Sequence, residues 1–310
     1  MTVGSALTAC SGQEAAEEPA PSGPVESPLT GMAGPVGPVL VVKIDNVAAA
    51  RPQHGLGAAD LVYVEPVEGG LTRLAAVFSS RLPETVGPVR SARESDLELL
   101  RQFGTPAFAY SGAAPPLVPV IEGARLVPLS PRQAPSAYFA ATGRRPPHST
   151  FARPDKLLEQ AGGATLPPEV GFRFGDPPQS RTQTTHETVT YPAARYTFDW
   201  SAADGRWLIG LDGGPLVEGG EGGEQLGAPT VVVQSVVVRP SRFTDVLGSV
   251  TPYVETVGAG AALVLRDGAS YDCRWSRPSA DGGTSFTTAG GQPCHFARGP
   301  VWLVLVPAAT

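Results

Sequence analysis

The chain has 310 residues, 42% of them hydrophobic and 17% charged, which is enough apolar material for a proper core and, at roughly 100–200 residues per domain, for two domains. Its formal charge of −6 argues against a general nucleic-acid binder. With 37 glycines and 33 prolines it favours turns and short elements over long helices. Lys43 and Lys156 are the only lysines. The remaining basic residues are arginines, so where an arginine stands carries more information than how many there are.

Near its start the chain carries Leu7-Thr8-Ala9-Cys10, the pattern of a bacterial lipobox whose cysteine becomes the lipid-bearing first residue of a mature protein. Only nine residues precede Cys10 and none is basic, whereas a signal peptide carries a basic n-region and an apolar stretch of about 7–15 residues. The reading therefore expects a basic n-region upstream of Met1. It assigns lipidation to Cys10 and anchors the protein to the outer face of the cytoplasmic membrane. No apolar run approaches the ~20 residues that a membrane-spanning helix needs. Residues 11–27 are acidic, Pro-rich and free of aromatics, as expected of a disordered tether.

The first folded part is expected over residues 28–177. Val39–Ile44 is a short apolar, β-branched run and predicts a buried strand. ADLVYVEPV and LTRLAAVFS predict two more strands, joined by a tight turn at Glu68-Gly69-Gly70. VGPVRSARESDLELLRQFG predicts a helix that stops at Gly104. Its start fits a capping box at Ser91-x-x-Glu94 or at Ser95-x-x-Glu98. TPAFAYSGA and RLVPLSP read as strands and RPDKLLEQA as a short helix, so this part is expected to be an α/β sandwich.

Residues 178–310 change character. HETVTYP, RYTFDW, GRWLIGLD, PTVVVQSVVVRP, AALVLRDG, YDCRWSRP, TSFTT and VWLVLVP predict strands separated by turns. The expected fold class is α+β, an N-terminal α/β sandwich-like domain followed by a β-rich domain. Trp200, Trp207, Trp275 and Trp302 all fall in the second part and are expected to serve core and turn packing. Glu218–Pro229, EGGEGGEQLGAP, reads as a flexible loop. In an exported protein Cys273 and Cys294 are expected to pair, closing a loop of about 20 residues worth ~3 kcal/mol in the chain-entropy model.

The ordered set SPLTG, KIDN, ARPQHGLGAADLVYVEPVEGGLTRLAAVF, VGPVRSARESD and RRPPHSTF resembles the YerB-like bacterial lipoprotein family. GRWLI and GPVWLVLVP match its C-terminal domain more loosely. Ser149 stands where that family more often has Asn. The resemblance covers most of residues 27–310 and implies a two-part envelope lipoprotein of unestablished activity.

Common catalytic signatures are missing. There is no Gly-x-x-x-x-Gly-Lys phosphate loop and no Gly-x-Gly-x-x-Gly after a strand. There is no Gly-x-Ser-x-Gly elbow and no Ser-x-x-Lys. His54, His148, His186 and His295 have no zinc-ligand spacing, so neither metal nor cofactor is expected. The polar set that remains is Asp45, Asn46, Arg51, Asp60, Glu65, Glu68, Arg73, Arg90, Arg93 and His148. Arg90, Arg93, Arg73 and Ser91, with Asp45, Asn46, Glu68 and His148, form the candidate anion or ligand site. Three readings stay open. The ions pair with one another and pin the loops; or the arginines clamp a phosphate or carboxylate, helped by backbone N–H groups at the helix start; or they face a protein partner. Asp45 and Glu68 have the chemistry of acid–base groups or metal ligands, and His148 that of a proton carrier near neutral pH. The leading expectation is a non-catalytic envelope lipoprotein that binds an anionic envelope component, a cell-wall component or a partner protein. The alternative is an enzyme acting on an envelope phosphate ester. At the level of pattern alone, the acidic turn, the Thr-Arg strand and the Arg-rich step are similar to the LytR-CpsA-Psr phosphotransferases of polyprenyl-linked glycans.

Overall fold

A computed structural model describes residues 1–2, 26–219, 223–245 and 248–308. Cys10 and residues 11–25 of the expected tether lie outside the described residues. Of the last two residues of the expected tether, Glu26 bridges Ala33 and Ser27 is buried.

The N-terminal part contributes β1 (Leu40–Asp45), β2 (Leu61–Pro66), β3 (Thr72–Phe78), α1 (Glu94–Leu100), β4 (Ala107–Ala109), α2 (Val118–Glu122), β5 (Val127–Leu129), β6 (Tyr138–Ala140), β7 (Thr150–Ala152) and α3 (Pro154–Glu159). The C-terminal part contributes β8 (Thr182–Gln183), β9 (His186–Tyr191), β10 (Ala194–Ser201), β11 (Arg206–Leu211), β12 (Gly214–Pro215), β13 (Gly227–Ala228), β14 (Thr230–Val236), β15 (Val238–Thr244), β16 (Val250–Val254), β17 (Gly258–Arg266), β18 (Ala269–Arg277), β19 (Ser285–Thr288) and β20 (Val301–Pro307). The expected α+β, strand-rich class is what is found.

One sheet runs through both parts, in the order β19-β18-β17-β14-β20-β2-β3-β1-β4-β5. β20, the last strand, lies parallel to β14 on one side and to β2 on the other. The two parts therefore share backbone hydrogen bonds along β2 and β20, in the middle of the sheet. Period-2 alternation explains why this sheet reads as continuous apolar runs: it is covered on both faces. Val42, Ile44, Val62, Val64, Leu74, Ala76, Trp302 and Val304 point to one face, beneath Phe198, Trp207 and Ile209 of the second sheet, β12-β11-β10-β9. Val41, Tyr63, Ala75, Val77, Leu303 and Leu305 point to the other, beneath Leu99, Leu100, Phe103 and Ile121 of the helical segments.

Several local expectations need correction. The apolar run PTVVVQSVVVRP is two strands, because β14 belongs to the large sheet while β15 leaves it after exposed Val237 to form a hairpin with β16. The loop at Glu218–Pro229 is held at both ends. The Glu218 carboxylate accepts the Gly55 and Gly57 N–H groups, and β13 pairs with β11; residues 220–222 lie outside the described residues. Neither serine caps α1. Its N-cap is Arg93, whose N–H donates to Asp96 Oδ2 at 2.6 Å. Ser95 lies inside the helix and accepts the Val254 N–H of β16 at 2.9 Å. Trp207, Trp275 and Trp302 are buried, as packing residues should be, and Trp275 Nε1 donates to the Ser235 carbonyl at 2.7 Å. Cys273 on β18 and Cys294 form a disulfide.

Candidate functional site

The charged residues gather on the helix-covered face of the large sheet, at the ends of β1, β2 and β3. Register puts Asp45 and Glu65 on either side of Arg73, so the three lie in one row across three strands. Lys43 and Tyr63 flank Ala75 in the row beneath. Directly paired residues in antiparallel strands share a face, so the row Asp-Arg-Glu is a consequence of spacing and register together.

The lower row is closed. Lys43 is fully buried and donates to Glu65 Oε2 at 2.8 Å and Asp96 Oδ1 at 2.6 Å. Two carboxylates share one ammonium in a dry environment. Burial raises the Glu65 carboxyl from its usual 4.5 to about 7, against the pull of Lys43 and with the help of the Asp96 charge. Glu65 Oε1 is buried without a hydrogen-bond partner, which suits a carboxyl that holds a proton.

The upper row opens into a cleft of about 200 Å³. Arg73, Arg90, Ser91, Arg93 and Glu94 line it from the N-terminal part; Phe243, Thr244, Asp245 and Thr251 of the β15–β16 hairpin close it from the C-terminal part. The segment Val86–Arg90 positions Arg90 by running along β1 beyond the end of β4: Asp45 N–H donates to the Pro88 carbonyl and Arg90 N–H to the Lys43 carbonyl. Gly87 is required there because, at φ +154°, a Cβ would meet the Phe151 ring at 2.9 Å. The turn that presents Glu68 is pinned by Gly70, whose φ is +71° and whose missing Cβ would lie 2.5 Å from Pro192.

The three arginines differ in how they are satisfied. Arg93 forms a bidentate pair with Glu68, at 2.7 and 2.8 Å. Thr251 Oγ1 adds a hydrogen bond to Glu68 at 2.5 Å. Burial pushes the Glu68 carboxyl up, but the Arg93 and Thr251 hydrogen bonds outweigh it and hold it below the usual carboxylate range. Arg90 Nε lies 3.0 Å from Asp45 Oδ2, yet its N–H is not aligned on any acceptor and is a buried donor without a partner. Asp45 is instead hydrogen-bonded by His148 Nδ1 at 2.8 Å and by the Asn46 N–H at 2.9 Å. Arg73 donates to the Ser91 carbonyl at 3.0 Å, and no carboxylate lies within ion-pair distance of it among the described residues. Burial, followed by the charges of Arg93 and Arg90, lowers the Arg73 guanidinium from 12.5 to about 10.

The remaining candidates sit elsewhere. Asn46 turns to the opposite side of β1, where Nδ2 donates to Thr72 Oγ1 at 2.9 Å and to the Tyr196 hydroxyl of β10, and Oδ1 accepts from Gln53 at 2.8 Å. It ties the turn after β1 to the second sheet and does not face the cleft. Arg51 pairs with Asp212 at 2.7 Å. Asp60 accepts the Ser79 and Ser80 N–H groups at 2.6 and 2.9 Å, and burial raises its carboxyl. Both are structural. Of the backbone N–H groups expected to assist an anion at the helix start, that of the N-cap Arg93 is taken by Asp96. Among the described residues no group of three or more His, Cys, Asp or Glu side chains is arranged to hold a metal ion.

Sequence reasoning missed Lys43 and Asp96 as a pair and missed the hairpin altogether. Lys43 had a signal, a lone cation inside the apolar strand VLVVKID. Thr251 and Phe243 had none, since they reach the site only because the hairpin folds back over α1. That docking is polar. Glu94 is held by Ser241 and Arg242, and Glu98 accepts from the Tyr253 hydroxyl and the Thr256 and Val257 N–H groups.

Residues 29–166 match the family model described as "Protein of unknown function (DUF3048) N-terminal domain", and residues 187–303 match that of the DUF3048 C-terminal domain. The chain is 34% identical over 165 residues to "Putative lipoprotein YerB" of Bacillus subtilis (strain 168), an alignment covering 50% of this chain and 49% of that one. It thus spans about half the length of the curated relative it matches. The crystal structure of YerB protein from Bacillus subtilis superposes with a TM-score of 0.76 at 22% identity, over 91% of this chain and 97% of that chain, so the two share a fold.

Proposed function

The chain belongs to the DUF3048 family, and on that premise we propose that it is a lipid-anchored protein of the bacterial envelope whose Arg73–Arg90 cleft holds an anionic envelope component. The observation that carries this reading is the unequal pairing of the arginines. Arg93 is neutralised by Glu68, whereas Arg73 has only a carbonyl and Arg90 has a buried Nε with no aligned acceptor. Glu94 and Asp245 also line the cleft, but among the described residues Arg73 pairs with neither, and an oxyanion beside Arg73 and Arg90 would gain charge-assisted hydrogen bonds. The volume suits a phosphate, sulfate or carboxylate head group, with the apolar side chains of Leu117 and Phe243 on the wall beside it. The name of the Bacillus relative supports the lipid anchor, which is assigned to Cys10.

The test is titration calorimetry of the full chain with inorganic sulfate, a dianion that does not change charge near neutral pH. Saturable binding to the wild type and at least a ~10-fold loss in Arg73→Ala, equal to about 1.4 kcal/mol, supports the cleft. Equal binding by the two proteins overturns it. For the anchor, Cys10→Ser is expected to move the protein expressed in a bacterial host from the membrane to the soluble fraction.

A further inference from the structure

Asp45 lies behind the cleft, between Arg90 and His148. It is 1% exposed, and its Oδ2 faces two partners at once: His148 Nδ1 at 2.8 Å and Arg90 Nε at 3.0 Å. The two contacts are not equivalent. His148 takes the hydrogen bond, while Arg90 Nε is left without an aligned acceptor. Because Nδ1 faces a carboxylate, it carries the proton in the neutral ring, and Nε2 is the atom that gains or loses one. Nε2 makes no hydrogen bond among the described residues, and the His148 side chain is 20% exposed, so a proton can reach it from solvent.

We infer that His148 is a positioning residue of the anion site, acting through Asp45 to decide how much of the Arg90 charge is available to the ligand. The inference rests on the cleft being an anion site. With His148 neutral, Arg90 is the cation that compensates the buried Asp45. With His148 protonated, the imidazolium–carboxylate pair neutralises Asp45, and Arg90 is free to turn its charge into the cleft beside Arg73. The charged groups around this centre are Asp45 from β1, Arg73 from β3, Arg90 from the loop before α1, the Arg93–Glu68 pair, Glu65 from β2 and, on the cleft wall, Glu94 and Asp245. By reciprocity, a dianion in the cleft then favours the protonated imidazole as much as the protonated imidazole favours the dianion. Binding then takes up a proton, and affinity falls as pH rises.

The experiment uses the full chain and inorganic sulfate, followed by calorimetry from pH 5.5 to 8 and by nitrogen NMR of the imidazoles. The wild type is expected to bind about 10-fold more tightly at the acid end. Sulfate is expected to raise the His148 titration midpoint while leaving those of His186 and His295 in place. His148→Gln, which keeps a hydrogen-bonding group beside Asp45 but cannot become a cation, should bind at the weaker level throughout and lose the pH dependence; Glu65→Gln should keep it. A sulfate affinity that does not change with pH overturns the inference while leaving the cleft intact, as does pH dependence that survives in His148→Gln or vanishes in Glu65→Gln. An unmoved His148 midpoint at saturating sulfate overturns it without any variant. Failure of sulfate to bind at any pH overturns the anion-site reading itself.

Discussion

The buried centre at Lys43 and the cleft at Arg73 lie one row apart on the same face of the same three strands, and they solve opposite electrostatic problems. At Lys43 two carboxylates surround one cation, everything is dry, and burial together with the Asp96 charge raises the proton affinity of Glu65. At Arg73 three arginines meet, the site is partly open, and Arg73 itself has no carboxylate within ion-pair distance among the described residues. A closed ion cluster of the first kind is a structural device, whereas an open one of the second kind has room for a charge from outside. The contrast teaches that arginine number is a poor guide to a site; what matters is which arginines the fold leaves without a carboxylate.

The comparison is broken most directly at Lys43. Lys43→Met leaves Glu65 and Asp96 buried without their cation, a change that costs about 3–5 kcal/mol. Urea unfolding is expected to show a loss of that size, and a loss below 1 kcal/mol removes the distinction between the two centres. Glu65 gives the next effect. Its carboxyl is raised from 4.5 to about 7 in the folded state, so the native protein binds more protons than the unfolded chain between those values. Stability from this group is fully present below pH 4.5 and declines as pH rises through 7, by at most about 3 kcal/mol. Glu65→Gln should flatten the fall in urea midpoint across that window; an unchanged slope would mean that other groups control it.

Arg93→Ala leaves the Glu68 carboxylate with only Thr251 and should cost about 1.5–3 kcal/mol, the range for hydrogen bonds to charged groups. Arg73→Ala should cost less than about 1 kcal/mol while removing sulfate binding. If Arg73 and Arg93 exchange these phenotypes, the assignment of one to the ligand and the other to the loop is reversed. The smallest effect is expected at Tyr196→Phe, which removes the hydroxyl that joins Asn46 and Thr72 to the second sheet; about 1 kcal/mol, read from the melting curve, with sulfate affinity untouched.

The strands around the site were legible. LVYVEP and TRLAAVF have the apolar content of a sheet covered on both faces, and the Glu68-Gly69-Gly70 turn between them was expected and is found. The helix was legible too, although α1 ends at Leu100 and a 3-10 turn carries the chain to the expected stop at Gly104; its start was not. Two serines fitted a capping pattern, and the fold used Asp96 for the cap and Ser95 to receive β16. Glu68 and Arg73 flank the same turn, and adjacency in sequence suggested that they belong together. Glu68 instead pairs with Arg93, because Arg73 lies in the row between Asp45 and Glu65 while the Glu68 turn reaches over α1.

By itself the sequence determined the elements, the alternation that buries them, the family resemblance and the short set of charged residues from which a site has to be made. Only the tertiary structure decided which of those charges cancel. The reason is the range of the interactions: an ion pair is worth something only at hydrogen-bond distance, and the partners here are brought together by strand register and by a hairpin from the far end of the chain. Lys43 meets Asp96, Glu68 meets Arg93 and Thr251, and Asp45 meets His148, none of them neighbours in sequence. Arg73 is left over by that same packing, and a residue that is left over has no signature of its own in the chain.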